Sequence, residues 1–473
     1  MQANTNWGQF IPLISVFFFW GFVASSNDIL IPVFKNEFNL SQTQSLFVVF
    51  AFYIAYTIGS LIYMGISKLL KKDLIHILGY KNSLILGLSI SALGALIFYP
   101  AANFRSIELM LTALFVVGLG FSLQQTVANP LSVLMGSPKT GSQRLTMAGG
   151  INNFGTTIAP ILVAYAIFGS INAEDQAARI ENVKIPYLII GAAFILVAVI
   201  LKFSKLPDQK ETEHKEEANT TRHTLARNSP LSYPQLLLGM IAIFVYVGVE
   251  VSTVANLPEF LHQELNFTTK QAAPYVALYW ASMMIGRWGG AVEALGLADR
   301  TTKILKFIAP YIAFAVFLIV TAISGHNWQQ FLLYAIIIVL LIIADLLSKG
   351  DPARMLMIYS GAGILALFIG MVSTGMVSAY AIIAVGLFCS TLWPCIFTLA
   401  IAGLGKHTNQ GSSFLIMMIM GGAWISLLQG FVADHHSIQV SYIVGVLCFA
   451  YLIYYAIQVR RTLQKQGVNY LAD

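Results

Sequence analysis

Residues 17–32 read FFFWGFVASSNDILIP, an apolar run that carries Ser25, Ser26, Asn27 and Asp28 in its second half. An ionised carboxylate at the centre of a bilayer costs roughly 2.5–3.5 kcal/mol on insertion scales, so a chain keeps one there when the charge is partnered or used. Apolar runs of similar kind recur from residue 11 to residue 459. Each is close to the ~20 residues that a helix needs to cross the hydrocarbon core. Of the 473 residues 57% are hydrophobic and 10% charged, against about 25% charged in soluble domains. Short alternating strands of outer-membrane type are absent from the pattern, so the chain reads as an all-α polytopic membrane protein.

The expected spans are 10–34, 45–69, 81–100, 107–134, 145–169, 186–203, 235–261, 271–295, 303–324, 329–347, 353–373, 378–405, 410–433 and 438–459, fourteen in all. Lysine and arginine placement tests this reading. With a cytoplasmic N-terminus, 21 of the 27 basic residues fall on the inner side. Five (Lys35, Arg105, Arg179, Lys184 and Lys270) fall outside, and Arg287 lies within a span. An even number of spans places both termini in the cytoplasm, and a bacterial inner membrane is the expected location. The net charge of +6 comes from short loops and forms no stripe, so it does not point to nucleic acid. Cys389, Cys395 and Cys448 lie in apolar runs and read as buried thiols.

Residues 204–231 are polar and charged, with too little apolar surface to fold alone. They divide an N-terminal six-helix bundle (1–203) from a C-terminal bundle (232–473). The halves echo each other. Asn129-Pro130 precedes Gly149-Gly150 in the first half, and Trp393-Pro394 precedes Gly421-Gly422 in the second. Parallel repeats of this sort are a transporter signature.

Few ionisable residues fall inside spans. Glu293 and Asp345 lie near predicted span ends, where a side chain reaches the interface cheaply. Arg287 reads as a structural or gating residue. Asp28 and Glu250 are the stronger candidates, because each lies in the first helix of its half and can face a central cavity. A neutral amide group accompanies them: Asn27, Gln124, Gln125, Asn129, Asn152, Asn153, Asn256 and Gln429. Amides in membrane helices turn away from lipid, and a hydroxylated ligand needs such donors and acceptors. Trp20, Phe19, Tyr279, Trp280, Trp393 and Trp424 can offer faces to its CH surfaces. No metalloprotease, nucleophile-elbow or phosphate-loop pattern is present, so an enzyme is not expected.

Several long segments resemble the fucose–galactose–glucose:proton symporters of the major facilitator superfamily. They include LQQTVANPLSVLMG at 123–136, SQRLTMAGGINNFGTTIAP at 142–160, YVGVEVS at 246–252, YWASMMIGRWGGA at 279–291 and GLFCSTLWPCIFTLAIAGLGKHTNQGS at 386–412, besides the opening stretch. The resemblance implies twelve core helices in two six-helix bundles and alternating access to a central sugar site. It implies proton coupling at Asp28 and a sugar contact at Asn152. Gln125 together with Glu250 points to the glucose/galactose branch. Three departures stand out: Gly149 where relatives often carry glutamine, a degraded loop at SKLLKKDLIHILGYK, and about forty extra residues after Arg287. The extra residues read as an inserted helical hairpin within about 303–350.

The expected function is cation-coupled import of a hexose such as glucose, galactose or fucose by a monomer in the bilayer. Asp28, Gln125 and Glu250 would couple the cation, and Asn27, Gln124, Gln125, Asn129, Asn152, Asn153, Glu250, Asn256, Trp393 and Gln429 would bind the sugar. A carboxyl group in a low dielectric takes a proton more readily than one in water. If the ion is Na+, Asp28 is the metal ligand, and oxygen donors suit it; no other cofactor is expected. The alternatives are an exporter of another polar metabolite or drug, and a non-transporting sugar receptor.

Overall fold

The computed structural model describes residues 6–71, 74–135, 141–168, 180–206, 229–295 and 297–468. Most of the 204–231 linker lies outside them. Among these described residues fourteen long helices follow the expected order. The first half holds α1 (Trp7–Phe38), α2 (Phe47–Leu70), α3 (Tyr80–Asn103), α4 (Ile107–Leu134), α5 (Gly141–Phe168) and α6 (Lys184–Phe203). The second holds α7 (Pro234–Leu265), α8 (Thr269–Ala291), α9 (Asp299–Ile323), α10 (Tyr334–Ser348), α11 (Pro352–Val372), α12 (Gly375–Ile401), α13 (Gln410–His435) and α14 (Ile443–Lys465). Among the described residues there is no strand.

Thirteen of these helices are long and apolar enough to cross a membrane by composition. The remaining one, α8, has 23 residues and spans about 35 Å at 1.5 Å per residue. It is less apolar because it faces protein on all sides: every residue from Ala272 to Gly286 is buried. A helix shielded from lipid can carry Ser282 and Arg287 at little cost.

The halves share one packing scheme. In the first, α1 lies against α5, and Gly21 lets the backbones approach so closely that a Cβ there would strike the Asn152 carbonyl. In the second, α7 lies against α13, where Gly421 meets the Phe244 backbone in the same way. Between the halves, α5 packs on α8 and α2 on α13. Gly150 faces the Trp288 ring at the first contact, and Gly422 faces the Tyr53 ring at the second. The glycine pairs that echo in sequence thus occupy matching seams.

Helix α9 rests mainly on α8, and α10 on α11 and α12. The hairpin flanks the second half and leaves the α8–α12 contact intact. The second-half helices are also more broken than their sequence suggests. Helix α12 is interrupted at Ser390–Thr391, where Pro394 has no N–H to return to Ser390. Helix α13 passes through a 3₁₀ turn at Met418–Met420.

Candidate functional site

A chamber of about 150 Å³ lies between the halves. Helices α1, α2, α4 and α5 contribute Trp20, Tyr53, Tyr56, Gln125, Asn129 and Asn152, and α7, α8 and α12 contribute Glu250, Trp280, Arg287 and Trp393. Gln125 and Asn129 also line a larger cavity of about 610 Å³, whose walls include Tyr63, Lys71, Tyr80 and Phe397. Lys71 ends α2 on the face of the protein that carries the N-terminus, so the chamber communicates with that face.

The opposite face is closed by contacts between the halves. Lys35 Nζ lies 2.6 Å from Glu259 Oε2, and Gln42 Nε2 donates to Asn256 Oδ1 at 3.0 Å. Asp434 accepts from the Gln42 and Thr43 backbone N–H groups at 3.1 and 3.0 Å, and from the Thr43 hydroxyl at 2.6 Å. Its carboxylate therefore caps the short helix Gln42–Ser45, where backbone N–H groups lack helical partners.

Within the chamber, rings and amides are held in place. Trp20 Nε1 donates to Gln124 Oε1 at 2.7 Å, and Gln124 Nε2 donates to Ser91 Oγ at 3.0 Å. That network fixes the Trp20 ring against the cavity. Gln125 Nε2 donates to the Tyr56 hydroxyl at 3.0 Å, leaving its carbonyl oxygen as an acceptor. Asn152 Nδ2 donates to Phe17 O at 3.0 Å. Arg287 crosses the seam: Nε donates to Ser390 O at 2.9 Å and Nη1 reaches Gly149 O at 3.4 Å. Glu250 shares the chamber wall with this guanidinium.

Asp28 sits one shell behind the wall. It is buried, and the Trp280 indole N–H donates to its Oδ2 at 2.8 Å. Among the described residues it has no ion-pair partner. Since Trp280 also lines the chamber, this bond joins the carboxylate of one half to the ligand wall of the other.

The sequence candidates divide by place. Gln125, Asn129, Asn152, Glu250, Trp393 and Arg287 line the chamber. Asn27, Gln124, Asn153, Asn256 and Gln429 do not. Asn27 Oδ1 accepts from the Tyr187 hydroxyl at 3.1 Å. Asn153 O accepts from the Thr156 and Thr157 hydroxyls. Asn256 serves the closed face, and Gln429 Nε2 donates to Ser441 Oγ at 3.3 Å. Sequence reasoning missed Tyr53 and Tyr56, which stack 6.0 Å apart on α2. Their signal was the i, i+3 spacing of hydroxylated rings in a helix otherwise rich in plain apolar side chains. It also missed the Asp434 cap.

A sequence model described as the Major Facilitator Superfamily matches residues 13–348. A glucose/galactose transporter of Brucella abortus is 33% identical over 459 residues, covering 96% of this chain and 95% of its own. An L-fucose-proton symporter of Escherichia coli is 28% identical, covering 96% of this chain and 94% of its own. Among solved structures, the major facilitator transporter FucP in the outward conformation superposes with a TM-score of 0.63 at 25% identity, covering 95% of this chain and 98% of its own.

Proposed function

This chain belongs to the Major Facilitator Superfamily, and on that premise we propose that it is a sugar:proton symporter, importing a hexose of the glucose, galactose or fucose type. The observation that carries the reading is the Asp28–Trp280 hydrogen bond, because it ties a buried, uncompensated carboxylate to a ring of the ligand chamber.

The chamber has the chemistry of a hexose site. Amides of Gln125, Asn129 and Asn152, the Glu250 carboxylate and the Arg287 guanidinium supply donors and acceptors for hydroxyls. Trp20, Trp280 and Trp393 supply apolar faces. Rigidity of the rings keeps the cost of ordering the site low on binding.

The two carboxylates play different parts. Glu250 faces the fixed charge of Arg287 across the chamber, which compensates its ionised form. Asp28 has a single neutral donor. A proton delivered to Asp28 removes a charge from a site that solvates it poorly, and the contact through Trp280 conveys that change to bound sugar. Protonation and sugar together then permit the seams at Gly150–Trp288 and Gly422–Tyr53 to rock. The N-terminus is cytoplasmic in this scheme, so the structure is inward-facing, with the Lys35–Glu259 side closed to the exterior. Residues 1–203 and 232–473 are the moving halves, and 204–231 is the link between them. A monomer contains the whole chamber. Sodium in place of the proton requires oxygens of Asp28 and Gln125 in one shell; Gln125 lines the chamber, whereas Asp28 lies behind its wall.

Counterflow tests the substrate class and separates transport from reception. Proteoliposomes loaded with unlabelled glucose, galactose or fucose should take up the labelled sugar transiently. Binding to detergent-solubilised protein without counterflow would indicate a receptor. Absence of both for all three sugars would remove the hexose assignment.

A further inference from the structure

A third cavity, of about 270 Å³, opens between α8 and the α9–α10 hairpin on the face that carries the N-terminus. Lys303 and Lys306 stand one helical turn apart near the start of α9, and Lys349 caps the end of α10. With Asp345 also in the wall, the lining residues carry three positive charges and one negative. Below this rim the walls turn apolar. Phe307 and Leu346 are 46% and 58% exposed, so they continue the membrane-facing surface of the hairpin. Gly289 and Gly290 form the inner wall without side chains.

We propose that this cleft binds the phosphodiester headgroup of an anionic phospholipid, with an acyl chain lying along Phe307 and Leu346. Basic pockets between membrane helices on the cytoplasmic side hold such headgroups. A free phosphate shares the charge but makes no use of apolar walls continuous with the lipid surface, which favours the lipid. The site is separate from the sugar chamber. It backs onto the stretch of α8 whose Arg287 and Trp288 reach Gly149 and Gly150 of the other half, so its occupant bears on the seam between the halves.

The test is lipid retention by the full-length purified protein in native mass spectrometry, with dioleoylphosphatidylglycerol, dioleoylphosphatidylcholine and inorganic phosphate as probes. Wild type should retain phosphatidylglycerol over phosphatidylcholine, and the combined Lys303→Gln, Lys306→Gln, Lys349→Gln variant should lose that preference roughly a hundredfold. The matching triple arginine variant should keep it. Lys349→Gln alone, at an exposed helix end, should cost a few-fold and stands in if the triple glutamine variant does not fold. Equal retention of both lipids by wild type, or undiminished phosphatidylglycerol retention by the glutamine variants, overturns the proposal. Displacement of phosphatidylglycerol by millimolar phosphate would reassign the cleft to the free anion.

Discussion

Lys35, at the end of α1, and Glu259, near the end of α7, meet at 2.6 Å across the two halves of the molecule. Each lies in the last two turns of the first helix of its half, so the contact joins the same end of two equivalent helices. Glu259 has 15% of its side chain exposed, and the pair is reinforced by the Gln42–Asn256 bond and the Asp434 cap. This group of contacts must break before the chamber can open on that face.

Weakening it should therefore shift the conformational balance. Glu259→Gln removes a partly exposed ion pair of about 1 kcal/mol or less. Asp434→Asn leaves two backbone N–H groups with a poorer, neutral acceptor. The combined variant should populate the opposite-facing state several-fold more than wild type. Distances between spin labels on Gln44 and Gln263 measure this directly, and an unchanged distance distribution would mean that the contacts do not hold the closed face.

The chamber and the buried amides should respond differently to truncation. Gln125→Ala removes a hydrogen-bonding group from the chamber, so the apparent sugar affinity should fall about 3- to 10-fold. Gln429→Ala leaves Ser441 without its donor inside α13 and α14 packing. It should lower the thermal midpoint while leaving sugar affinity unchanged. Uptake kinetics and melting curves on both variants separate the two roles.

Glycines at seams and glycines facing open space should diverge as well. Gly21→Ala brings a Cβ onto the Asn152 backbone, which cannot yield as a side chain can. A loss of 1–3 kcal/mol or more is expected from overpacking. Gly65 and Gly361 have nothing within 4 Å of an added Cβ. Alanine at either should raise stability by about 0.5–1 kcal/mol, because both lie inside helices. Detergent melting curves of the three variants provide the comparison.

His326, in the turn between α9 and α10, is held below the ordinary histidine value by burial and by nearby Lys270. A base with a depressed folded-state value favours folding in its neutral form. Its contribution is complete above the unfolded value of about 6.5 and is lost as pH falls from there through the depressed folded value. His326→Gln should therefore flatten the stability profile of the protein between neutral and mildly acid pH. An identical profile in variant and wild type would show that the turn does not sense protonation.

Much of the architecture was legible because membrane helices announce themselves by length and charge asymmetry. Even α8, too polar to pass as a span by composition, was among the expected spans at 271–295. The hairpin followed from the surplus of residues between Arg287 and the GLFCS segment. Side-chain direction was harder. Gln124 and Gln125 are adjacent, yet a rotation of about 100° sends one to Ser91 and Trp20 and the other to the chamber. Asn152 and Asn153 part in the same way. In helices buried all round, polarity cannot set the phase, so amides in the chamber and amides spent on packing look alike. The Asp434 cap joins residues about 390 positions apart and leaves no local pattern.

The most direct measurement is uptake of labelled hexose into proteoliposomes under an inward proton gradient, for wild type and Asp28→Asn. Wild type should accumulate sugar above equilibrium and lose that accumulation with a protonophore. Asp28→Asn should retain exchange of labelled for unlabelled sugar and accumulate none. Full accumulation by Asp28→Asn, or wild-type accumulation driven by sodium and indifferent to protons, would contradict the assignment of Asp28 as the proton carrier.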